Sequence, residues 1–331
     1  MNIVCVGAVY IDTILTVPHY PVEDQKLRAS KRTRRRGGNC GNTLEVFQQL
    51  LQFLLNSSSP PKLHLLAILP AKDSIDTKLI SKSLEKQQLR LESACIYRSE
   101  FQEAASSYII KNENKSSRTI VSINELPEMT VMEFIAKAED ISANAETTKM
   151  WYHFEGRIPE VTCPCVEWLR KLPERQDVTI SIELEKPERI GLKDVVPHAN
   201  VVFYSKLWAT ALGYSDPRSF LEAQISSARD GAVLCCTWGS GGATVVRKSL
   251  LPNGDHKWES VKAWTSQDPQ HSIVDTIGAG DTFVAGMLFA LTCSRERSLK
   301  QKLVFANELA GRKVIQEGFD DLTMQMRGYN T

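Results

Sequence analysis

Short apolar runs without helical spacing recur along the chain, and they constrain its fold more than any other feature. They include Ile3-Val4-Cys5-Val6, Met150-Trp151-Tyr152-His153-Phe154, Val201-Val202-Phe203-Tyr204 and Ala232-Val233-Leu234-Cys235-Cys236. Apolar on successive residues and flanked by polar ones, they read as strands buried on both faces. Residues 63–69 and 178–187 read as further strands, and residues 75–89 and 133–145 as helices. Strands alternating with helices imply βαβ units and a mostly parallel sheet. In such sheets ligands bind beyond the strand ends. Asp12, the Glu155-Gly156-Arg157 stretch, Glu183 and Glu185 all fall at such exits.

Composition narrows the function classes. A chain of 331 residues with 42% hydrophobic and 24% charged residues is ordinary for a globular protein. A net charge of +1 gives no electrostatic case for nucleic acid or a membrane surface. No apolar run reaches the length of a membrane span, and Met1 leads directly into the first strand without a signal-peptide pattern. With that beginning, eight cysteines suggest reduced thiols and a cytoplasmic location. Cys163-Pro164-Cys165 has no second pair at zinc-ligand spacing. The basic run Lys31-Arg32-Thr33-Arg34-Arg35-Arg36 has the composition of a nuclear localisation signal. It leads straight into Gly37-Gly38-Asn39 and reads instead as a mostly solvated face on a strand. The residues beyond Asp321 read as a disordered tail.

The chemistry concentrates in Asp275-Thr276-Ile277-Gly278-Ala279-Gly280-Asp281-Thr282-Phe283. Phe283, Gly286, Met287, Ala290 and Leu291 follow on one face of a helix that starts near Gly280. Glycines before a helix let the backbone approach a ligand, and the first turn leaves unpaired N–H groups that favour an anion. Asp281 at that mouth has the chemistry to take a proton from an attacking alcohol, as phosphoryl transfer requires. A glycine-rich helix cap with an acidic first turn satisfies the same spacing. Gly37-Gly38-Asn39-Cys40-Gly41-Asn42 opens another helix, where Asn39 and Asn42 offer donors and acceptors suited to a polyol. An asparagine cap after a glycine turn is the alternative.

Taken together and in this order, the two signatures resemble those of the PfkB (ribokinase-like) family of sugar and nucleoside kinases. The resemblance runs from about Ile3 to Asp320. It implies one domain over residues 1–331: an α/β, three-layer α/β/α sandwich with a mostly parallel central sheet and a small β-sheet lid. The lid strands come from about 10–37 and 104–123, where residues 106–110 and 118–122 form a hairpin. By resemblance Asp281 is the base, with Gly278, Ala279 and Gly280 forming the anion hole. Asp12, Asp24, Gly38, Asn39, Asn42 and Arg118 bind the sugar, although a solvated hairpin arginine is an equal reading of Arg118. Lys206, Thr237, Gly239, Gly242, Ala306 and Ala310 line the nucleotide.

Tyr152-His153-Phe154-Glu155-Gly156-Arg157, Ser181-Ile182-Glu183-Leu184-Glu185-Lys186-Pro187 and Val201-Val202-Phe203-Tyr204-Ser205-Lys206 resemble the family's ketohexokinase (fructokinase) branch. That implies transfer of the γ-phosphoryl group of ATP to the primary hydroxyl of a ketohexose, most simply D-fructose. The alternatives are another substrate (ribose, adenosine or a different ketose) or a catalytically silent sugar- or nucleotide-binding regulator. Mg²⁺ accompanies ATP, with no direct protein ligand assignable, since the family's Asn-x-x-Glu motif is replaced by Ser205-Lys206-Leu207-Trp208. In some relatives the loop at Asp275 holds a monovalent cation such as K⁺. Lid strands in this family often pair across a homodimer.

Overall fold

A computed structural model describes the whole chain except residues 56–58, 86–93, 115–116, 173–176, 253, 269–271 and 327–331. In chain order the strands are β1 (Asn2–Val6), β2 (Tyr10–Val17), β3 (Lys31–Gly37), β4 (Lys62–Leu66), β5 (Ile68–Pro70), β6 (Ile96–Arg98) and β7 (Ser106–Asn112). They continue with β8 (Arg118–Ile123), β9 (Lys149–Glu155), β10 (Asp177–Leu184), β11 (Val201–Tyr204), β12 (Val233–Thr237), β13 (Ala243–Arg247) and β14 (Lys257–Val261). The helices are α1 (Asn39–Leu54), α2 (Ile75–Glu85), α3 (Val131–Ala143), α4 (Pro159–Arg170), α5 (Lys206–Ala211), α6 (Pro217–Gln224), α7 (Ala279–Cys293) and α8 (Leu299–Val314).

Eight strands form the central sheet in the order β14-β13-β12-β11-β10-β9-β1-β4. β4, β1, β9, β10, β11 and β12 run parallel, and β13 and β14 add an antiparallel edge. Alternate residues of each strand feed two separate cores. Ile3, Cys5, Val201, Phe203, Val233 and Cys235 pack with α1, α7 and α8. Val4, Val6, Val202, Tyr204, Leu234 and Cys236 pack with α3, α4 and α6. Burial on both faces is why these strands read as unbroken apolar runs.

The first strand ends with its apolar run, and the chain enters the small sheet where the resemblance placed the lid. β1 stops at Val6, and Tyr10–Val17 crosses into a separate four-stranded sheet of order β3-β2-β7-β8. Asp12 therefore stands on β2 of this small sheet and not at an exit of the central one. The apolar stretch at 63–69 likewise breaks at Ala67, where β4 ends and β5 leaves to pair with β6. Helix α2 ends at Glu85, and residues 86–89 of the expected helix lie outside the described residues. The chain does not end as a loose tail at Asp321: Leu322–Met326 form a 3₁₀ turn with Leu322 and Met326 in the core.

Helix α7 also departs from the one-faced pattern. Every residue from 281 to 290 is buried, because α1 and α8 pack against it while it covers the sheet. A helix enclosed in this way is apolar all round. Its contact with α8 depends on Gly286, where an added Cβ would lie 2.8 Å from the Ala306 Cα and 3.1 Å from its Cβ. Gly286→Val is expected to destabilise the fold by about 1–3 kcal/mol, the usual cost of overpacking. Denaturant unfolding of variant and parent checks this, and equal midpoints would contradict it.

Candidate active site

Gly278 caps α7 in the left-handed conformation, with φ of 82°. A Cβ there would fall 2.3 Å from the Phe319 ring, so both the backbone and the space demand glycine. Ile277 N donates to Asp275 Oδ1 at 2.9 Å and folds the preceding loop back on itself. The first turn of α7 then leaves the N–H groups of Gly280 and Asp281 without intrahelical partners, at the positive end of a buried helix.

Asp281 is buried beside them. Asn42 Nδ2 donates to its Oδ2 at 2.7 Å, and Thr43 Oγ1 donates to its backbone carbonyl at 3.3 Å. Asn42 is itself fixed, since Arg36 Nη1 donates to its Oδ1 at 2.8 Å. Arg36 pairs with Glu45 and donates through Nε to Ser83 Oγ at 3.1 Å. Asn42, expected to meet the sugar, thus gives an amide hydrogen to Asp281 while its oxygen accepts from Arg36. The basic run is solvated in part, as expected, with Lys31, Arg32 and Arg34 exposed, but its C-terminal end is not. Arg36 is only 4% exposed, Arg34 pairs with Asp76 at 2.5 Å, and Arg35 with Asp275 at 3.3 Å. Those carboxylates lie tens to hundreds of positions away, so no local pattern announces them.

A cleft of about 480 Å³ opens at Asp281, lined by Asn39, Glu183, Glu185, Ser205, Thr237 and Gly280 among others. It joins the mouth of α7 to the carboxyl ends of β10, β11 and β12. Gly38 brings α1 to it at φ of 98°, passing so near Ala8 that a Cβ would lie 2.4 Å from that carbonyl oxygen. A second cavity of about 630 Å³ lies by β1, β4 and β9. It touches neither Asp281 nor the 278–280 loop, so the first is the candidate site.

Burial shapes the electrostatics. Asp281 is held well above the ordinary carboxylate range by desolvation, reinforced by Glu183 and opposed by the Asn42 hydrogen bond. Glu183 is pushed up to about 8 by burial, with Glu155 and Glu185 adding to the rise. His153 is lowered to about 3 by burial, so its 2.9 Å contact with Glu183 is a neutral hydrogen bond despite ion-pair geometry. At the other end of the loop, fully buried Lys313 donates to the Asp275 carbonyl at 2.9 Å and to its Oδ2 at 3.0 Å. Glu183, His153, Arg36 and Lys313 escaped assignment from sequence. Acidic strand exits flagged the first, but nothing local marked the others.

The remaining expected residues are dispersed. Asp12 is buried opposite Arg35 on β3, with Arg36 and Ser107 beside it, and burial raises its carboxyl against the pull of both arginines. Asp24 is exposed on the β2–β3 loop at φ of 62°. Arg118 leaves β8 to donate to Thr276 Oγ1, and Lys111 Nζ reaches the Val274 carbonyl at 3.0 Å. Lys206 lies over the Trp238 ring, 5.5 Å from its centroid, beside the turn that carries Thr237, Gly239 and Gly242 between β12 and β13. Ala306 is fully buried against Gly286, whereas Ala310 is half-buried.

Residues 1–323 match the pfkB family carbohydrate kinase profile. The chain belongs to this family. A PfkB kinase is also what its relatives indicate. It is 30% identical over 325 residues to the ketohexokinase of Mus musculus, covering 97% of this chain and 98% of that one. The ribokinase of Thermotoga maritima superposes with a TM-score of 0.71 at 15% identity, covering 96% of this chain and 94% of that one. The ribokinase of Cryptococcus neoformans var. grubii serotype A in complex with ADP gives 0.63 at 15% identity, with the same coverages. The fold is therefore ribokinase-like and the chain is a carbohydrate kinase, with helices on both faces of a mostly parallel sheet.

The acidic cluster gives this PfkB kinase a testable stability profile. Glu183 has a folded-state pKa above its unfolded value, so its contribution is fully present below about pH 4 and is lost as pH rises through about 8. Glu183→Gln is expected to flatten the fall in melting temperature between pH 5 and 8. Parallel melting curves for parent and variant across that range would contradict it.

Proposed function

We propose that the chain is an ATP-dependent kinase that transfers the γ-phosphoryl group to the primary hydroxyl of a ketohexose, most simply D-fructose to give fructose 1-phosphate. The observation that carries this reading is Asp281, buried in the first turn of α7 beside N–H groups able to hold a phosphoryl anion. Asp281 accepts the hydroxyl proton and orients the oxygen toward phosphorus, and its raised pKa suits a base better than an ordinary aspartate would. Gly278, Ala279 and Gly280 hold the charge on the transferred group. Asp12, Asp24, Gly38, Asn39 and Arg118 are assigned to the sugar side, and Asn42 acts through Asp281. Lys206, Thr237, Gly239, Gly242 and Ala310 are assigned to the nucleotide, with Ala306 shaping the helix behind it. Kinship with ketohexokinase supports the ketose, and the cleft's carboxylates and Asn39 supply acceptors for its hydroxyls.

Mg²⁺ bound with the nucleotide would supply neutralising charge to its phosphates. Among the described residues no group of three or more His, Cys, Asp or Glu side chains is arranged to hold a metal, so no protein ligand is assigned to it. A monovalent cation at Asp275 does not fit the residues present. Lys313 Nζ already takes that carbonyl and carboxylate and also reaches the Gln316 carbonyl at 3.3 Å. A homodimer through the small sheet is supported by its edge strand β8, which turns Ile120, Val121 and Ile123 outward. A cytoplasmic location follows as part of the same reading.

The test is ADP release with MgATP and D-fructose, ribose or adenosine. Fructose is expected to give the fastest turnover, and Asp281→Asn to lower kcat by about two to four orders of magnitude, the usual range for a general base. Turnover of ribose or adenosine alone would replace the ketose. Near-normal turnover in Asp281→Asn would remove the base assignment.

A further inference from the structure

Asn39 opens α1 at the cleft, and both described hydrogen bonds of its side chain leave from the same atom. Nδ2 donates to Glu183 Oε2 at 3.1 Å and to Glu185 Oε2 at 3.3 Å. A carboxyl oxygen facing an amide accepts, so the nitrogen must be the end turned toward these residues. Both amide hydrogens are then used, and Oδ1 is the polar atom left for a ligand.

Glu183 is itself held from behind. His153 Nε2 lies 2.9 Å from its Oε1, His153 Nδ1 lies 2.9 Å from Ser181 Oγ, and Trp151 Nε1 donates to Ser181 Oγ at 2.8 Å. His153 and Ser181 are fully buried, and Trp151 and Glu183 nearly so. This chain tolerates a proton on Glu183 or its loss. When Glu183 Oε1 carries the proton it donates to Nε2, and His153 Nδ1–H donates to Ser181. When Glu183 is ionised, the imidazole takes the other tautomer and Nε2–H donates back, while Ser181 donates to Nδ1. In both states Oε2 remains an acceptor facing Asn39.

We propose that Glu183 and Glu185, backed by the His153–Ser181–Trp151 chain, are positioning residues that lock the Asn39 amide so that it presents its carbonyl oxygen to the substrate. The site then selects a sugar that donates a hydroxyl hydrogen at that point and disfavours one presenting only an acceptor. Removing the hydrogen of that hydroxyl strands an acceptor that the bound sugar would cover, which is how polar sites discriminate strongly. This inference rests on the reading that Asn39 faces the sugar of a kinase.

The experiment compares the parent with Glu183→Met, which cannot accept from Asn39, and Glu183→Gln, which can accept through its oxygen and donate to His153. Sugar KM, kcat and the side-chain amide ¹H–¹⁵N signals of Asn39 are measured for each. Glu183→Met is expected to raise the sugar KM about tenfold, roughly the loss of one good hydrogen bond, with a smaller change in kcat. Glu183→Gln is expected to restore most of that loss. Among singly fluorinated analogues of the sugar that is turned over, one position is expected to cost the parent about tenfold and Glu183→Met little. The Asn39 amide signals are expected to show slowed exchange in the parent and in Glu183→Gln only. An unchanged KM, fluorine profile and amide signal in Glu183→Met would overturn the proposal, as would equal damage from Met and Gln. A parent that phosphorylates no sugar would overturn the kinase reading instead, and the amide signals would still report whether the Asn39 lock exists.

Discussion

A carboxylate buried at the start of a buried helix is the constraint on which the rest of this structure depends. Asp281 sits where desolvation penalises its charge, and Asn42 is the neighbour that hydrogen-bonds to its side chain. Asn42 turns its nitrogen toward Asp281 because Arg36 occupies its oxygen, and Arg36 is buried because Glu45 neutralises it. A buried arginine without such a partner would be strongly destabilising. Asp281 is therefore held by a chain that passes from the small sheet, through α1, to α7. Helix α1 carries three members of that chain, Asn42, Thr43 and Glu45, which explains why the Gly-Gly-Asn turn and the Gly-Ala-Gly-Asp turn belong to one site.

The same small sheet reaches the loop before α7 through three cations. Arg35 contacts Asp275, Lys111 the Val274 carbonyl and Arg118 the Thr276 hydroxyl. From the opposite side Lys313 closes on Asp275, and Phe319 fills the space that the missing Gly278 side chain leaves. The turn before α7 is thus gripped between small sheet and C-terminal segment. Preorganised N–H groups of this kind need no rearrangement when charge develops, which is the main source of electrostatic catalysis.

Much of this was legible in the sequence. The apolar runs defined the central strands because burial on both faces leaves no polar alternation to confuse with a helix. The two glycine turns announced the site, since few other backbones could make such close approaches. What stayed hidden depended on distant pairing. Tyr10–Val17 carries buried Ile11, Ile14 and Val17 without strict alternation, so its place in the small sheet came from the family resemblance and not from a local pattern. Arg36 looked solvated because Glu45 and Ser83 meet it only after folding. Nothing near Lys313 in the chain announces that it is fully buried on Asp275. His153 read as a core residue of a strand, and only its contacts reveal the line that runs through Glu183 to Asn39.

The pH dependence of kcat/KM for sugar phosphorylation tests the central role of Asp281 most directly. A buried base that must lose its proton gives an ascending limb, so activity falls as pH drops through a value above the ordinary aspartate range of about 4. Because Glu183 reinforces the rise once it is ionised, Glu183→Gln should move the part of that limb above about pH 8 to lower pH. A limb in this position that shifts in this direction is the result the account predicts. A profile flat from pH 4 to 8, or a limb that Glu183→Gln moves upward, would contradict it.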